Sequence, residues 1–415
     1  MILFKSIQTH IGQRVNFIAE YDEDIEVDAS HLLLLPALID PHVHFRVPGG
    51  EHKEDWRSGA KSALHGGVTT VFDMPNNQPA CTTYERLMAK KQLIDLQLKE
   101  AGIPLNYRLY IGADKNCLGE LPKVKNEVVG IKVFMGSSTG ELLIDDDLVL
   151  EEIFKIAAYE GMIVAIHGEC EEILLEKKRE LKASLESPQV HPRIHSTLRD
   201  RSAAIQAVKK ALDLAEKYGT TLYILHMSTK EELGLVQKAK KQGVSVYAEA
   251  CPHHLFLSEG DYEMYGTRVQ MNPPLRTIED QVALWQGLNS GLIDTIGTDH
   301  APHTVEEKER GYGQAPSGIP GVQTLLPLLL DAVNRQRISM EKLVSLTRFN
   351  CEKIFRLQGN DDYVVVDPGL NREVDEKKLF SKCGWSPYHG RRLQGWPQFT
   401  VLKGQAYRLG IGERF

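Results

Sequence analysis

Four histidines, a lysine and an aspartate stand in or just after short apolar runs that lie far apart along the chain. His42 and His44 follow LLLPALID, His167 closes MIVAIH, His226 closes TLYILH, and Asp299 follows LIDTIGT. Lys132 lies inside GIKVFM. Neutral imidazole and carboxylate are the ligands that zinc and related divalent ions prefer. His42 and His44 are two residues apart, so in an extended strand they share a face. Taken singly, each histidine reads more simply as a core or surface residue. Together, at the ends of separate predicted strands, they read as a metal site of a hydrolase.

Lys132 needs a different account. An ammonium beside metal cations is repelled, and burial in an apolar strand costs desolvation energy. Burial favours the neutral amine. That amine can take up carbon dioxide to give an anionic carbamate, whose two oxygens could bridge two metals. The alternative is a lysine that snorkels to the surface or pairs with Asp145 or Asp146.

Those residues need a frame that brings strand ends together. Eight strand candidates are legible, at 33–40, 67–73, 106–112, 129–135, 162–167, 221–226, 244–250 and 292–298. Helical periodicity marks 85–100, 147–160, 201–218, 230–241, 279–289 and 321–335. Gly102, Gly161, Gly219, Gly243 and Gly291 punctuate the joins between helix and strand, as expected of left-handed C-caps. The alternation predicts a (β/α)8 TIM-type barrel, with an open doubly wound sheet as the rival. In the barrel, the active site sits at the C-terminal ends of the strands, where the six residues above fall. Both chain ends break the alternation and predict a small β domain shared between them. The expected organisation is 1–38 and 358–415 for that domain and 39–357 for the barrel. The charged stretch 168–200 reads as a surface insertion, and 304–318 as either a mobile or a static surface loop.

Composition narrows the class. The chain has 415 residues and a formal net charge of -7, with 42% hydrophobic and 25% charged residues. That balance suits a globular protein and argues against a nucleic-acid surface. The six cysteines are scattered without a CxxC pair, which suits reduced thiols. No apolar run reaches the roughly 20 residues of a membrane span, and MILFKSIQTH lacks a signal-peptide pattern. The expected location is the cytoplasm, with no membrane or nucleic-acid partner.

The stretches DPHVHFRVPG, KED, GGVTTVFDMPNNQP, GIKVFMGSSTG, AIHGE, LHMST, EACPHHLFL, MNPPLR, GTDHAPH and PSGIPGVQT resemble the cyclic amidohydrolases of the amidohydrolase superfamily, and among them the dihydroorotases. The resemblance spans nearly the whole chain. It implies a (β/α)8 barrel with a small β-sandwich and two zinc ions. His42, His44 and Asp299 would bind the more buried ion, His167 and His226 the other, and carboxylated Lys132 would bridge them. It further implies reversible hydrolysis of (S)-dihydroorotate to N-carbamoyl-L-aspartate by a zinc-bound hydroxide, in de novo pyrimidine (UMP) biosynthesis. Asp299 would act as general base and then general acid. The substrate carboxylate wants a fixed guanidinium. Arg46, two residues beyond His44 on the same face, can reach the metal mouth. The residues matching Arg46, Asn76 and His303 hold that carboxylate in the family, and the one matching Asn272 contacts the ring. Outside the resemblance, Arg46 reads as a surface salt bridge, and Asn76, Asn272 and His303 as turn, cap or loop residues. Val47 departs from the family pattern, which often has an acid there. His253 and His254 are expected to be structural. Another cyclic amidase, of allantoinase or hydantoinase type, is the alternative, followed by a non-catalytic scaffold. A homodimer is expected, with room for association with aspartate transcarbamoylase.

Overall fold

The apolar runs pair in the order in which they occur. The computed structural model describes residues 1–138, 142–187 and 189–409; Thr139 and Gly140 of the GSSTG motif and the last six residues of the expected C-terminal domain lie outside them. The first part of the chain supplies β1 (Ile2–Thr9), β2 (Arg14–Ala19), β3 (Ile25–Asp28) and β4 (Leu33–Pro36). Eight further strands follow: β5 (Leu38–Val43), β6 (Val68–Asp73), β7 (Asn106–Gly112), β8 (Gly130–Phe134), β9 (Ile163–His167), β10 (Thr221–Ile224), β11 (Val246–Ala250) and β12 (Thr295–Ile296). The chain then adds β13 (Tyr363–Glu373), β14 (Arg392–Leu402) and β15 (Gln405–Arg408).

Strands β5 to β12 form one parallel sheet in sequence order. Strand β12 has only two residues, so loop contacts complete the seam back to β5. The His44 amide donates to the His300 carbonyl at 2.8 Å. Asp40 accepts from the Thr298 amide at 2.9 Å and also from its hydroxyl. The result is a nearly closed (β/α)8 barrel with helices outside it. Gly102, Gly161, Gly219 and Gly291 end helices with positive φ, as their sequence positions predict.

Four local features differ from the sequence expectation. The run 33–40 is two strands in two sheets. Pro36 has no amide to continue the β4 ladder, and Leu38 turns into the barrel by donating to the Gly67 carbonyl at 2.9 Å. A helix at Trp56–His65 precedes β6, capped by Asp55. Between β7 and β8 the connection is a 3₁₀ turn, Leu118–Val124, containing Pro122. The stretch 168–200 forms short helices, but it is not all surface: His195 and Arg199 at its end are buried.

The remaining seven strands form one sheet from both termini, ordered β15-β14-β13-β4-β1-β2, with β3 beside β1. It curls until its ends meet, where Ala406 donates to the Glu20 carbonyl at 2.7 Å. Phe4 and Phe399 meet edge to face inside it. No helix among the described residues is long and apolar enough to cross a membrane.

The curled sheet rests on the barrel through β14 and the helix Leu325–Asn334. Gln394 donates to Asp331 at 3.1 Å. Gly395 has φ +102, and a Cβ there would stand 2.6 Å from that of Leu330. Replacing Gly395 with Ala is therefore expected to cost about 1–3 kcal/mol, from backbone strain and overpacking. Equilibrium denaturation should show it as a lower midpoint. An unchanged midpoint would mean that this contact carries little of the fold.

Candidate active site

Inside the barrel, side chains stack in layers that rise from apolar to polar. Phe355 plugs the bottom, with the Phe72 and Tyr223 rings at 4.9 and 5.0 Å. Above it the Tyr223 hydroxyl meets Glu249 Oε2 at 2.9 Å and Thr295 Oγ1 at 2.7 Å. The next layer holds His42, Lys132, His226 and Asp299, all buried. His44, Arg46, Asn76, Phe134, His167 and Asn272 join them around one cavity. Nine of the ten sequence-selected site residues thus line a single space.

Strand parity explains most of this convergence. Asp40, His42 and His44 alternate along one face, as do Ala165, His167 and Glu169. His226 is the exception. Tyr223 and Leu225 already face the barrel interior, so the next residue should point outward. Its φ of +38 re-aims it. Arg46 and Asp299 have φ of +64 and +47. Such conformations cost non-glycine residues roughly 1–3 kcal/mol each and cluster at functional sites.

Each histidine has a partner that fixes its orientation or a bare nitrogen with no other use. His42 Nδ1 lies 2.8 Å from Glu249 Oε1, which turns Nε2 toward Asp299 Oδ1 at 3.2 Å. His44 Nδ1 lies 2.8 Å from Asn76 Oδ1, and its Nε2 is 3.1 Å from the same Asp299 oxygen. His167 Nε2 is 2.9 Å from Glu169 Oε2, leaving Nδ1 3.0 Å from His226 Nε2. His226 Nδ1 is buried, with no hydrogen-bond partner among the described residues. Glu169 is itself held by Arg199 at 2.9 Å. Partners of this kind settle which imidazole nitrogen keeps its lone pair for a metal.

The charge states suit that role. Burial pushes the His44 pKa down to about 3. Burial, with His167 and Lys132 nearby, takes His226 well below its usual range. Asp299 stays ionised, because His42 and His44 outweigh the opposing effect of burial. Burial lowers Lys132 to about 8, against the pull of Asp299 and Glu249. Its Nζ sits 4.7 Å from the Phe134 ring centre. The alternative partners are elsewhere: Asp145 and Asp146 are exposed, and Asp146 caps the helix Asp147–Glu160.

This donor set fits a divalent metal. The ligand atoms of His42, His44 and Asp299 all lie within 4.8 Å of one another. A second grouping, His42 with Glu249 and Cys251, fits less well. Glu249 is already bonded to His42, Tyr223 and the His226 amide.

Arg46 reaches the cavity from the loop after β5. Its Nε donates to the Pro302 carbonyl at 3.2 Å, and Nη2 lies 3.1 Å from His303 Nε2. His303 is not on the cavity wall; it stands behind Arg46, fully buried. Burial and the cations Arg46, Lys53 and Lys308 keep it neutral. Val47, the departure from the expected pattern, is buried in the core. Arg46 is thus oriented by Pro302 and His303 without help from residue 47. The buried ion pair of Lys90 with Asp73, at 2.6 Å, sits beneath this loop. Asp73 also accepts from the Phe45 amide at 2.7 Å, and Lys90 holds Asn77 at 2.7 Å. His253 and His254 are buried off the cavity, with His254 3.2 Å from the Pro273 carbonyl.

Known proteins agree with this architecture. The family model described as "Amidohydrolase family" matches residues 33–359, and the chain belongs to that family. Among its relatives, a protein named dihydroorotase from Halobacterium salinarum is 36% identical, over 95% of this chain and 91% of that one. Another of that name from Methanosarcina mazei is 35% identical, over 92% and 85% respectively. The multifunctional protein CAD of Squalus acanthias is 35% identical over 92% of this chain, which spans 15% of that protein. Among solved structures, the L-hydantoinase (dihydropyrimidinase) of Arthrobacter aurescens superposes with a TM-score of 0.90. Its identity is 26%, covering 100% of this chain and 97% of that one. The class expected from the sequence, a hydrolase acting on cyclic amides, agrees with both sets of relatives.

Sequence reasoning did not single out Glu249, Glu169, Arg199 or Asp40. The first, second and fourth lie inside stretches already noted, EACPHH, AIHGE and DPHVH. Asp40 and Glu169 stand two residues from a ligand and Glu249 stands next to a strand end, which was the available signal. Glu249→Gln should weaken metal binding about 10–100-fold, the usual cost of losing a carboxylate behind a ligating histidine. Competition with a chelator would measure it, and wild-type affinity would refute the role given to Glu249.

Proposed function

We propose that this protein is a dihydroorotase, catalysing reversible hydrolysis of (S)-dihydroorotate to N-carbamoyl-L-aspartate, the ring-closing direction serving pyrimidine synthesis. The observation that carries the reading is Arg46. Its guanidinium is buried at the cavity wall, and no carboxylate pairs with it among the described residues. Burial lowers its pKa to about 10, so it stays charged at neutral pH. A buried cation bonded to no carboxylate calls for an anionic ligand, and dihydroorotate offers a carboxylate beside a cyclic amide.

In this reading His42, His44 and Asp299 would hold one zinc ion and His167 and His226 a second, with carboxylated Lys132 as a further ligand. Bound ions would polarise the amide carbonyl and lower the pKa of water to about 7. Asp299 takes the proton of the attacking water and returns it to the leaving ring nitrogen. Oδ1 of Asp299 faces His42 Nε2 and His44 Nε2 at 3.2 and 3.1 Å. Arg46 binds the substrate carboxylate, Asn76 and His303 support that end, and Asn272 faces the ring. Ring closure uses the same groups in reverse. The match to one segment of a multifunctional protein supports the expectation that the chain associates with a neighbouring enzyme such as aspartate transcarbamoylase.

A hydantoinase is the second reading, favoured by the close superposition on an L-hydantoinase. The sequence identity to proteins named dihydroorotase is higher, and a hydantoin ring gives Arg46 no carboxylate. Steady-state assays of the zinc-loaded protein separate the two. Turnover of dihydroorotate is expected, and activity confined to hydantoins or allantoin would overturn the proposal. Arg46→Ala should lower kcat/KM for dihydroorotate about a hundredfold, the worth of one or two charge-assisted hydrogen bonds. It should leave turnover of dihydrouracil, which lacks the carboxylate, little changed. Equal loss on both substrates would count against the assigned contact.

A further inference from the structure

Behind Asn272 lies a chain of three polar groups from three separate segments. His195 comes from the short helix Ile194–Leu198, at the end of the inserted stretch. It is buried, 5% exposed. Its Nε2 lies 2.9 Å from Asn272 Oδ1 and 3.1 Å from the Met271 carbonyl. Its Nδ1 lies 3.0 Å from the hydroxyl of Tyr312. Tyr312 belongs to the segment 304–318. That segment is tied down: the buried Lys308 donates to the Gln270 and Pro316 carbonyls at 3.0 and 2.9 Å.

The proton positions follow from partner chemistry. A carbonyl only accepts, so contact with Met271 requires the His195 proton on Nε2. The same N–H then meets Asn272, whose facing atom must be its amide oxygen. Nδ1 is left as a bare acceptor, and the Tyr312 hydroxyl donates to it. Burial, with Arg199 nearby, keeps the ring neutral, so the alternation is undisturbed at ordinary pH. With its oxygen engaged, Asn272 has its Nδ2 hydrogens to offer on the other side. One reaches Ser138 Oγ at 3.3 Å, and both residues line the cavity.

We propose that His195 and Tyr312 are positioning residues that fix the amide of Asn272 so that it presents N–H donors, and not its oxygen, to the substrate. The site therefore selects a ring with a carbonyl acceptor at that position. This rests on the reading of Asn272 as a substrate contact. The relay Tyr312–His195–Asn272 involves no transfer of protons; it only sets which end of an amide faces inward. It also gives the inserted stretch and the 304–318 segment a shared task in substrate recognition.

The test has two arms on the zinc-loaded protein. In the first, ¹⁵N NMR of the histidine side chains reads the His195 tautomer, whatever the substrate is. Protonation at Nε2 is expected in the wild type; protonation at Nδ1 would overturn the proposal. In the second, Tyr312→Phe and His195→Phe should each raise KM for dihydroorotate about tenfold, the scale of one lost neutral hydrogen bond, with kcat within about twofold. In an Asn272→Ala background, His195→Phe should add no further loss. Independent, additive losses would mean that His195 only supports the fold, and would refute the inference. His195→Gln, which can still donate to Asn272, should recover part of the KM. If His195→Phe does not fold, Tyr312→Phe and His195→Gln carry the same comparison in that background. A wild type inactive on dihydroorotate would instead refute the functional reading, and the tautomer measurement would then decide for or against the relay by itself.

Discussion

Neutral imidazoles can crowd together only if something behind each decides which nitrogen keeps its lone pair. In this protein the deciding contacts are the Glu249 carboxylate behind His42, Asn76 behind His44, and Glu169 behind His167. Without them the rings could rotate or exchange tautomers, and their lone pairs would not converge. Glu249 alone serves three groups, since it also accepts from the Tyr223 hydroxyl and the His226 amide. The requirement reaches into the backbone. Gly297 must lack a side chain, because a Cβ there would lie 2.5 Å from Glu249 Oε2.

The barrel supplies what this arrangement demands. Its interior is plugged by Phe355 beneath a tyrosine layer, so the polar layer above rests on a rigid floor. The layer is costly to bury, and the cost is met by pairing nearly every polar atom. The exceptions are informative. Among the described residues His226 Nδ1 has no hydrogen-bond partner, and no carboxylate pairs with Arg46. Both residues line the cavity, where an anionic substrate would complete Arg46.

Much of this was legible in the sequence because period-two alternation and strand ends are local signals. His42, His44, His167 and Asp299 could be placed at a barrel mouth from spacing alone. His226 was found at a strand end, but its inward aim depends on a left-handed backbone conformation that no pattern of apolar residues reveals. The run 33–40 looked like one strand because apolarity does not tell which sheet a residue joins; the divide at Pro36 depends on long-range partners, β13 and Gly67. Glu249 and Glu169 were not evident because their partners lie on other strands or on the far side of a histidine ring. His195 and Tyr312 lay in stretches whose charge and glycine content suggested surface. Their burial follows from tertiary contacts across distant segments.

We propose that these histidines, with Lys132 and Asp299, form a two-ion centre. The most direct test counts metal per chain after loading the stripped protein with zinc in bicarbonate buffer, for the wild type and for Lys132→Met. Two equivalents are expected in the wild type and no more than one in the variant, because methionine cannot provide the carbamate proposed for Lys132. Two equivalents in both, or none in the wild type, would contradict it.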